Sequence, residues 1–552
     1  MTTEWADDYL QSTFGLLIWT QMRVKVTRTS KWVPIPSTKA KVGDFKLGKL
    51  SAPAVDVDLP SFLPFERWLP AWLWNMILQP NFDLFHQALR SMPFDDALDD
   101  PHRNQWNATT AQSNKRDWIL SFYGLHSQLD GGALWPPVEN DLRGLYFRND
   151  EWSDQLEHVL AFGLNAVHRL EEVSKVYMGE TLRFAIRLNS FAGLRVRPGF
   201  GRFGGDLYFS AEGLPIMLET PSGQQVQRGD KEWQYWKFVW RSSLFGIITV
   251  VDHLHMTHFR VSNMMAKTVR QALSPDHPLR RLLSIFTFSA VKGNLDLLYS
   301  IFSPNHLLHR AGPFEAEQWT HLTQTLPPEL SCPIYYHETM MNASKIDQLP
   351  QQLRDSPYWS DGRLLVGVIE KLVREFLSAY DYCNWRTQEI HPELQLFVQA
   401  YFKELKMSEY REMPAADVNT CETFVQMLTA NIWTVTGFHR HVASVGDIFN
   451  DPDLASLSWM EGERSGRPKQ HGILALAICY TSQGNPKLTE DFSHVFRGIH
   501  KEDSALSVWS AFQHRLQDVH EIVAASNVRR SAAHSYINPR ADPTKVGCSA
   551  AV

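Results

Sequence analysis

From Trp233 to Ala272 the chain contains one glycine, Gly246, no proline, and apolar residues recurring at helical spacing. The same pattern appears at Trp152 to Leu170, Leu279 to Leu308, Leu364 to Tyr382, Cys421 to Phe449 and His500 to Ala525. Two of these stretches, Trp233 to Ala272 and His500 to Ala525, hold more than 20 residues without Gly or Pro. A helix of that length spans ~30 Å, about the width of a small domain. Such helices pass through a body rather than decorate it. The expectation is a mainly α fold, one large helical domain with long central helices. The section Gly199 to Leu218 differs, since apolar residues alternate there between glycines, which predicts a hairpin or minor β-sheet around residues 200 to 220. Gly199, Gly201, Gly204 and Gly205 read as turns, because no Gly-Lys-Ser/Thr follows them. The first 60 residues are mixed and carry a basic, Ser/Thr/Pro-containing stretch from Arg23 to Lys49. They read as an irregular N-terminal arm (1–60) ahead of one catalytic-size domain (61–552).

Composition excludes several classes. With 44% hydrophobic and 21% charged residues the chain is an ordinary globular protein. A net charge of -6 argues against nucleic acid or an anionic membrane as the main partner. Five cysteines, Cys332, Cys383, Cys421, Cys479 and Cys548, show no CxxC spacing, so zinc ribbons and disulfide frameworks are not expected. Met1 to Leu10 carries Glu4, Asp7 and Asp8 and no basic, apolar leader. Together these point to the cytoplasm. The most apolar window, Trp68 to Leu78, is broken by Pro70 and too short to span a bilayer. It reads as a buried helix, with transient contact to a membrane surface as the other reading.

Chemistry concentrates in histidines. Asp252-His253-Leu254-His255-Met256-Thr257-His258 lies in the longest helical stretch, and Phe438-His439-Arg440-His441 lies in another. His255 and His258 share a face of a regular α-helix. His253 and His258, five apart, diverge by ~140° unless the helix carries a π-bulge, whose i→i+5 bonding brings them onto one face. Spacing alone favours His255 with His258, and a histidine-rich core helix is the bland alternative. The chain ends on Val552, a residue that could offer a carboxylate to a metal also bound by imidazoles.

The order of motifs resembles the catalytic domain of the lipoxygenase family over roughly residues 145 to 552. Asp154 to Arg169, with Gly163 and Asn165, is similar to its D-x-x-F-x-x-Q-x-x-x-G-x-N segment. Trp240 to His258 resembles the helix ending H-x-x-x-x-H, and Asp276-His277-Pro278 to Leu283 resembles H-P-x-x-x-L-L. Tyr358-Trp359-Ser360-Asp361-Gly362 and Glu393-Leu394-Gln395 look like Y-x-x-D-(G/A) and D-x-E-L-Q. Asn538-Pro539-Arg540 with Val552 resembles the tail that ends in a metal-binding Ile or Val.

The resemblance implies a single non-haem metal, iron, or manganese as in one fungal branch. Its ligands would be His253, His258, His439 and the carboxylate of Val552, with His255 a bystander and His441 the alternative to His439. A fourth side-chain ligand falls at Ala443 or Ser444, depending on a one-residue bulge, and water replaces it if neither serves. The implied reaction abstracts hydrogen from a polyunsaturated fatty acid or related polyene and adds O2 to give a hydroperoxide, the chemistry of oxylipin formation. Leu295, Leu297, Leu298, Ile301, Phe302, Leu307 and Leu308 would wall the apolar pocket, with Leu297 near the position where the family carries Ala or Gly. Arg202, Arg260 and Arg270 are the candidates for holding a substrate carboxylate. No room is left for the family's N-terminal β-barrel, as in its shorter microbial and fungal forms. Two other functions stay open: oxidation or rearrangement of a polyketide or terpenoid in secondary metabolism, and a metal-free lipid-binding pseudoenzyme.

Overall fold

The central helix is built from three consecutive segments with no break between them. α1 (Trp233–Ile247) passes into a π-helical segment (Ile248–Ser262), which passes into α2 (Asn263–Ala272). Both junction residues, Ile248 and Ser262, keep right-handed helical backbone angles. Nearly every side chain from Phe238 to Ala266 is buried, as expected for a helix surrounded by protein. Its hydroxyls turn inward onto backbone carbonyls: Ser243 Oγ to Val239 O (2.7 Å), Thr249 Oγ1 to Phe245 O (2.9 Å) and Thr268 Oγ1 to Met264 O (2.8 Å). Buried polar groups need such partners.

This computed structural model describes residues 169–274, 276–288, 307–315, 317–319, 351–354, 356–407, 420–443, 452–467, 486–533 and 537–550. It also describes four short strands between 39 and 58 and a few isolated positions such as Asp154 and Leu297. Around the central helix lie α3 (Pro278–Phe286), α4 (Leu307–Ala311), α5 (Pro357–Ala379), α6 (Pro392–Met407), α7 (Cys421–Trp433), a π-turn (Thr434–Phe438), α8 (His439–Val442) and α9 (Glu502–Ala532). Local chemistry sets their ends. Pro357 occupies the first turn of α5, where a missing N–H costs nothing. Thr420 and Thr423 form a reciprocal capping box at the start of α7. α9 opens on Glu502 and Asp503 and closes on Arg529 and Arg530, complementing the helix dipole. α5 packs along both α7 and α9, α2 packs on α6, and the π-segment of the central helix meets the π-turn and α8. One continuous apolar core joins these helices.

The sheet is larger than the sequence suggests. β5 (Leu170–Tyr177), β6 (Glu180–Arg187), β7 (Asp206–Ser210), β8 (Pro215–Glu219) and β9 (Gln225–Gln227) form an antiparallel meander in that order. Its pairing sets Ile186 opposite Leu207 and Leu207 opposite Leu218. Phe184, Ile186, Leu207, Phe209, Leu218 and Val226 face the helical core, while Leu182, Ala185, Tyr208 and Met217 form a separate cluster. A register shift between Leu182 and Phe184 accounts for the change of face. The expected hairpin at 200–220 is thus the middle of five strands. β5 and β6, rich in Glu, Lys and Arg, hide their alternation, and Leu170, read as the end of a helix, begins a strand. Gly201 is required by contact: a Cβ there would stand 1.9 Å from Trp459 Nε1, while its N–H donates to Trp459 O (2.8 Å).

Two further differences appear. Lys39–Lys41 pairs with Asp56–Asp58, and Phe45–Leu47 with Leu50–Ala52, so part of the N-terminal 60 residues is strand rather than irregular arm. The helix expected over Leu279 to Leu308 stops at Phe286, with the backbone at Thr287 leaving helical angles, and α4 begins at Leu307. Trp68 to Leu78 lies outside the described residues. Among the described residues, no helix is long and apolar enough to cross a membrane. The architecture is a mainly α domain with long central helices and a minor β-sheet.

Candidate metal centre

The π-segment decides which histidines meet. Its i→i+5 pattern puts residues five apart on one face. Thr257 Oγ1 donates to Asp252 O, five residues back, at 2.9 Å. His253 and His258 therefore point the same way, and His255, two residues from His253 and 1% exposed, stands outside their cluster. His439 arrives by a second π-turn. Within that turn Thr434 and Thr436 bond back to Ala430 O (2.8 Å) and Ile432 O (2.6 Å). A Cβ at Gly437 would stand 2.1 Å from Trp433 Cζ3, so only glycine lets the indole fold back there.

The three Nε2 atoms form a near-equilateral triangle: His253 to His258 3.1 Å, His253 to His439 3.1 Å and His258 to His439 2.9 Å. Ring centroids lie 4.7 to 5.0 Å apart, and the ring planes are inclined by 41° to 82°. Each neutral imidazole nitrogen carries one proton or one lone pair, so a proton can bridge only one side of such a triangle at a time. A cation satisfies all three. Donors ~2.1 Å from a common ion and at right angles to one another stand ~3.0 Å apart, whereas tetrahedral angles would spread them to ~3.4 Å. The observed spacing fits three neighbouring corners of an octahedron.

Electrostatics favour the neutral, ligating form. Burial is the largest cause holding His253 well below its usual range, with His258 adding repulsion. Burial again dominates at His439, followed by His258, His253, Arg440 and Lys487. Beside the triangle, Asp252 Oδ1 accepts from Arg169 Nη2 at 2.9 Å, both groups nearly fully buried. That pair ties the π-segment to the residue preceding β5. Asp252 was visible in the sequence, but its partner 83 residues upstream carried no signal.

Other expected residues are distributed differently. His441 is buried with its ring 4.4 Å from that of Tyr358 and is not part of the triangle. Ala443, four residues after His439, caps α8 and offers no donor side chain; Ser444 and Val552 lie outside the described residues. The tail is anchored as far as Ala550. Asp361 accepts two bonds from Arg530 (2.6 and 2.9 Å) and one from Asn538 Nδ2 (3.0 Å). Val546 O accepts from Leu488 N (3.0 Å), Cys548 N donates to Pro486 O (2.8 Å) and Ser549 Oγ to Phe288 O (2.8 Å). Ala550 is fully buried.

Leu297 and Leu308 are buried in the apolar core, and Leu307 lies on α4. Leu295, Leu298, Ile301 and Phe302 lie outside the described residues. Arg260 is buried on the π-segment and Arg202 is exposed. A small apolar cavity of about 20 Å³, which no sequence pattern marks, is lined by Phe191, Leu194, Phe203, Val250, Val251 and Phe314, among others. Its walls come from segments scattered along the chain, so no local pattern could reveal it. Neither Leu297 nor Leu308 lines it.

No protein-family model matches this sequence, and no curated protein matches it. Solved structures do. Coral 8R-lipoxygenase is similar with a TM-score of 0.60 at 13% identity, over 79% of this chain and 74% of that one. A manganese lipoxygenase gives 0.61 at 12% identity over 96% and 98%. A lipoxygenase variant in complex with arachidonate gives 0.62 at 13% identity over 97% and 82%. The fold is that of the lipoxygenases.

Proposed function

We propose that this chain is a metal-dependent dioxygenase of the lipoxygenase type, acting on a polyunsaturated fatty acid or related polyene. The observation that carries this reading is the triangle of three Nε2 atoms at 2.9 to 3.1 Å. His253, His258 and His439 would hold the ion, and the carboxylate of Val552 would complete the set, supported by a tail bonded and buried through Ala550. Iron is the proposed ion and manganese the alternative, since imidazole and carboxylate suit both. When bound, such an ion supplies a one-electron acceptor next to the substrate. The protein's own part is positional. The two π elements aim three neutral imidazoles at one point, and burial keeps protons off His253 and His439. Apolar residues packed around the central helix exclude water from its surroundings.

Ala443, with no donor at the position four beyond His439, favours a second reading: oxidation or rearrangement of a polyketide or terpenoid by the same centre. Oxygen uptake with linoleic acid, followed by conjugated-diene absorbance, separates the two. Both signals together support the fatty-acid reading. A metal-loaded protein that gives neither ends that reading and favours the second, and a folded protein that takes up no metal sinks both.

A further inference from the structure

The C-terminal segment turns on one carboxylate. Asp542, 7% exposed, collects three donors on Oδ1: Thr544 Oγ1 (2.7 Å), Thr544 N (2.9 Å) and His520 Nδ1 of α9 (2.9 Å). Its backbone closes the same turn. Asp542 N donates to Pro539 O (3.1 Å), and Asp542 O accepts from Lys545 N (2.9 Å) and Val546 N (3.1 Å). A side chain bonded to the backbone two residues on fixes the direction in which the chain leaves such a turn. Ala541, just before it, packs with Val519 and Val523 of α9. Only beyond the turn does the chain join a short antiparallel pairing, with Leu488 N on Val546 O, Cys548 N on Pro486 O and Lys487 opposite Gly547.

We propose that Asp542 is a positioning residue that sets the register of the terminal strand, and thereby the place where the carboxylate of Val552 arrives. The inference rests on the reading in which that carboxylate is a metal ligand. The pairing of 546–548 with 486–488 is held by two backbone bonds, with the Ser549 hydroxyl on Phe288 O beside them. So short a pairing specifies its own register weakly. A slip of one residue would carry every later atom ~3.3 Å along the strand. That is longer than a metal–oxygen bond of ~2.0–2.2 Å, so a slipped tail leaves the ion. Asp542 removes the slip from upstream. Its bonds to Thr544 fix the chain two residues before Val546. Its bond to His520 pins the turn to α9, whose Trp509, Phe512 and Leu516 are seated in the apolar core. Asn538 and Asp361 hold the tail where it begins; Asp542 fixes how much chain remains after it turns.

The test compares the whole wild-type protein with Asp542→Ala, Asp542→Asn and His520→Ala. Hydrogen exchange of the metal-free proteins reads the register. The amides of Leu488 and Cys548 should exchange faster in Asp542→Ala than in the wild type, while those of α5 keep their protection. Titration with manganese(II) should show affinity lowered about tenfold or more in Asp542→Ala, and by less in His520→Ala. Asp542→Asn, whose carboxamide oxygen still accepts from Thr544, should recover most of the loss. The paramagnetic resonance spectrum of bound manganese should also change in Asp542→Ala, which a general loss of stability would not cause. Unchanged exchange at Leu488 and Cys548 overturns the proposal, and so does an Asp542→Ala protein with wild-type affinity and spectrum. A wild-type protein that takes up no metal ends it together with the functional reading, whereas a metal-binding wild type with unaffected variants ends it alone. If Asp542→Ala does not fold, His520→Ala carries the same comparison.

Discussion

His258 is the most deeply buried corner of the triangle, at 1% exposure. His258→Ala is therefore expected to lower bound metal at least about tenfold, as judged from the size of lesser changes around metal sites. His255→Ala, two positions inside the same helical segment, should leave metal content within about twofold; elemental analysis of both variants checks the contrast. Gly437 acts on the third corner at one remove. Gly437→Ala drives a methyl into the Trp433 ring and should cost roughly 1–3 kcal/mol of stability, measured by denaturant unfolding. Metal affinity should fall with it, because the Trp433 ring and His439 flank the same π-turn. His309 gives a pH signature that does not involve the triangle. Its ring stacks on Trp319 at 5.5 Å, Nε2 donates to Phe314 O, and burial lowers its pKa to about 4. The folded-state value lies below the unfolded one, so above ~6.5 the group is neutral in both states and costs nothing. As pH falls from there toward 4, the unfolded chain takes up a proton that the folded site refuses, and stability drops. His309→Phe should flatten that part of the stability–pH curve.

At the scale of elements, the buried pair of Arg169 and Asp252 anchors the π-segment at the position next to His253. Arg169→Met leaves the carboxylate without that cation in the core and should destabilise by about 3 kcal/mol. Thermal unfolding read alongside metal retention checks it. Spacing alone favours His255 with His258; the π geometry follows only from the resemblance, since His253 and His258 share a face only if the helix takes i→i+5 bonding, as it does over Ile248–Ser262. The second π-turn, Thr434–Phe438, lies before His439 and has no counterpart in the sequence reading, whose one-residue bulge falls between His439 and Ser444, the latter outside the described residues. α9 was readable because a long run free of Gly and Pro leaves little alternative, and α5 because its apolar residues recur at helical spacing despite Gly367. The sheet was half-read. Glycines and alternation expose β7 and β8, but the charged faces of β5 and β6 look like solvated helix.

Across the whole molecule, the tail clamp joins α5, α9 and the C-terminal segment through Asp361, Arg530 and Asn538. Sequence marked Asp361 and Asn538 as motif residues without saying that they bond to each other. If the tail delivers a ligand, Asn538→Ala should reduce metal occupancy while the helices remain folded by circular dichroism. The central claim is that His253, His258 and His439 share one ion, and anomalous diffraction at the iron and manganese edges tests it most directly. One peak is expected inside the triangle, roughly 2.1–2.3 Å from each of the three Nε2 atoms. A metal-supplemented crystal with no peak there, or with a peak bound by His255 or His441 instead, would contradict the account.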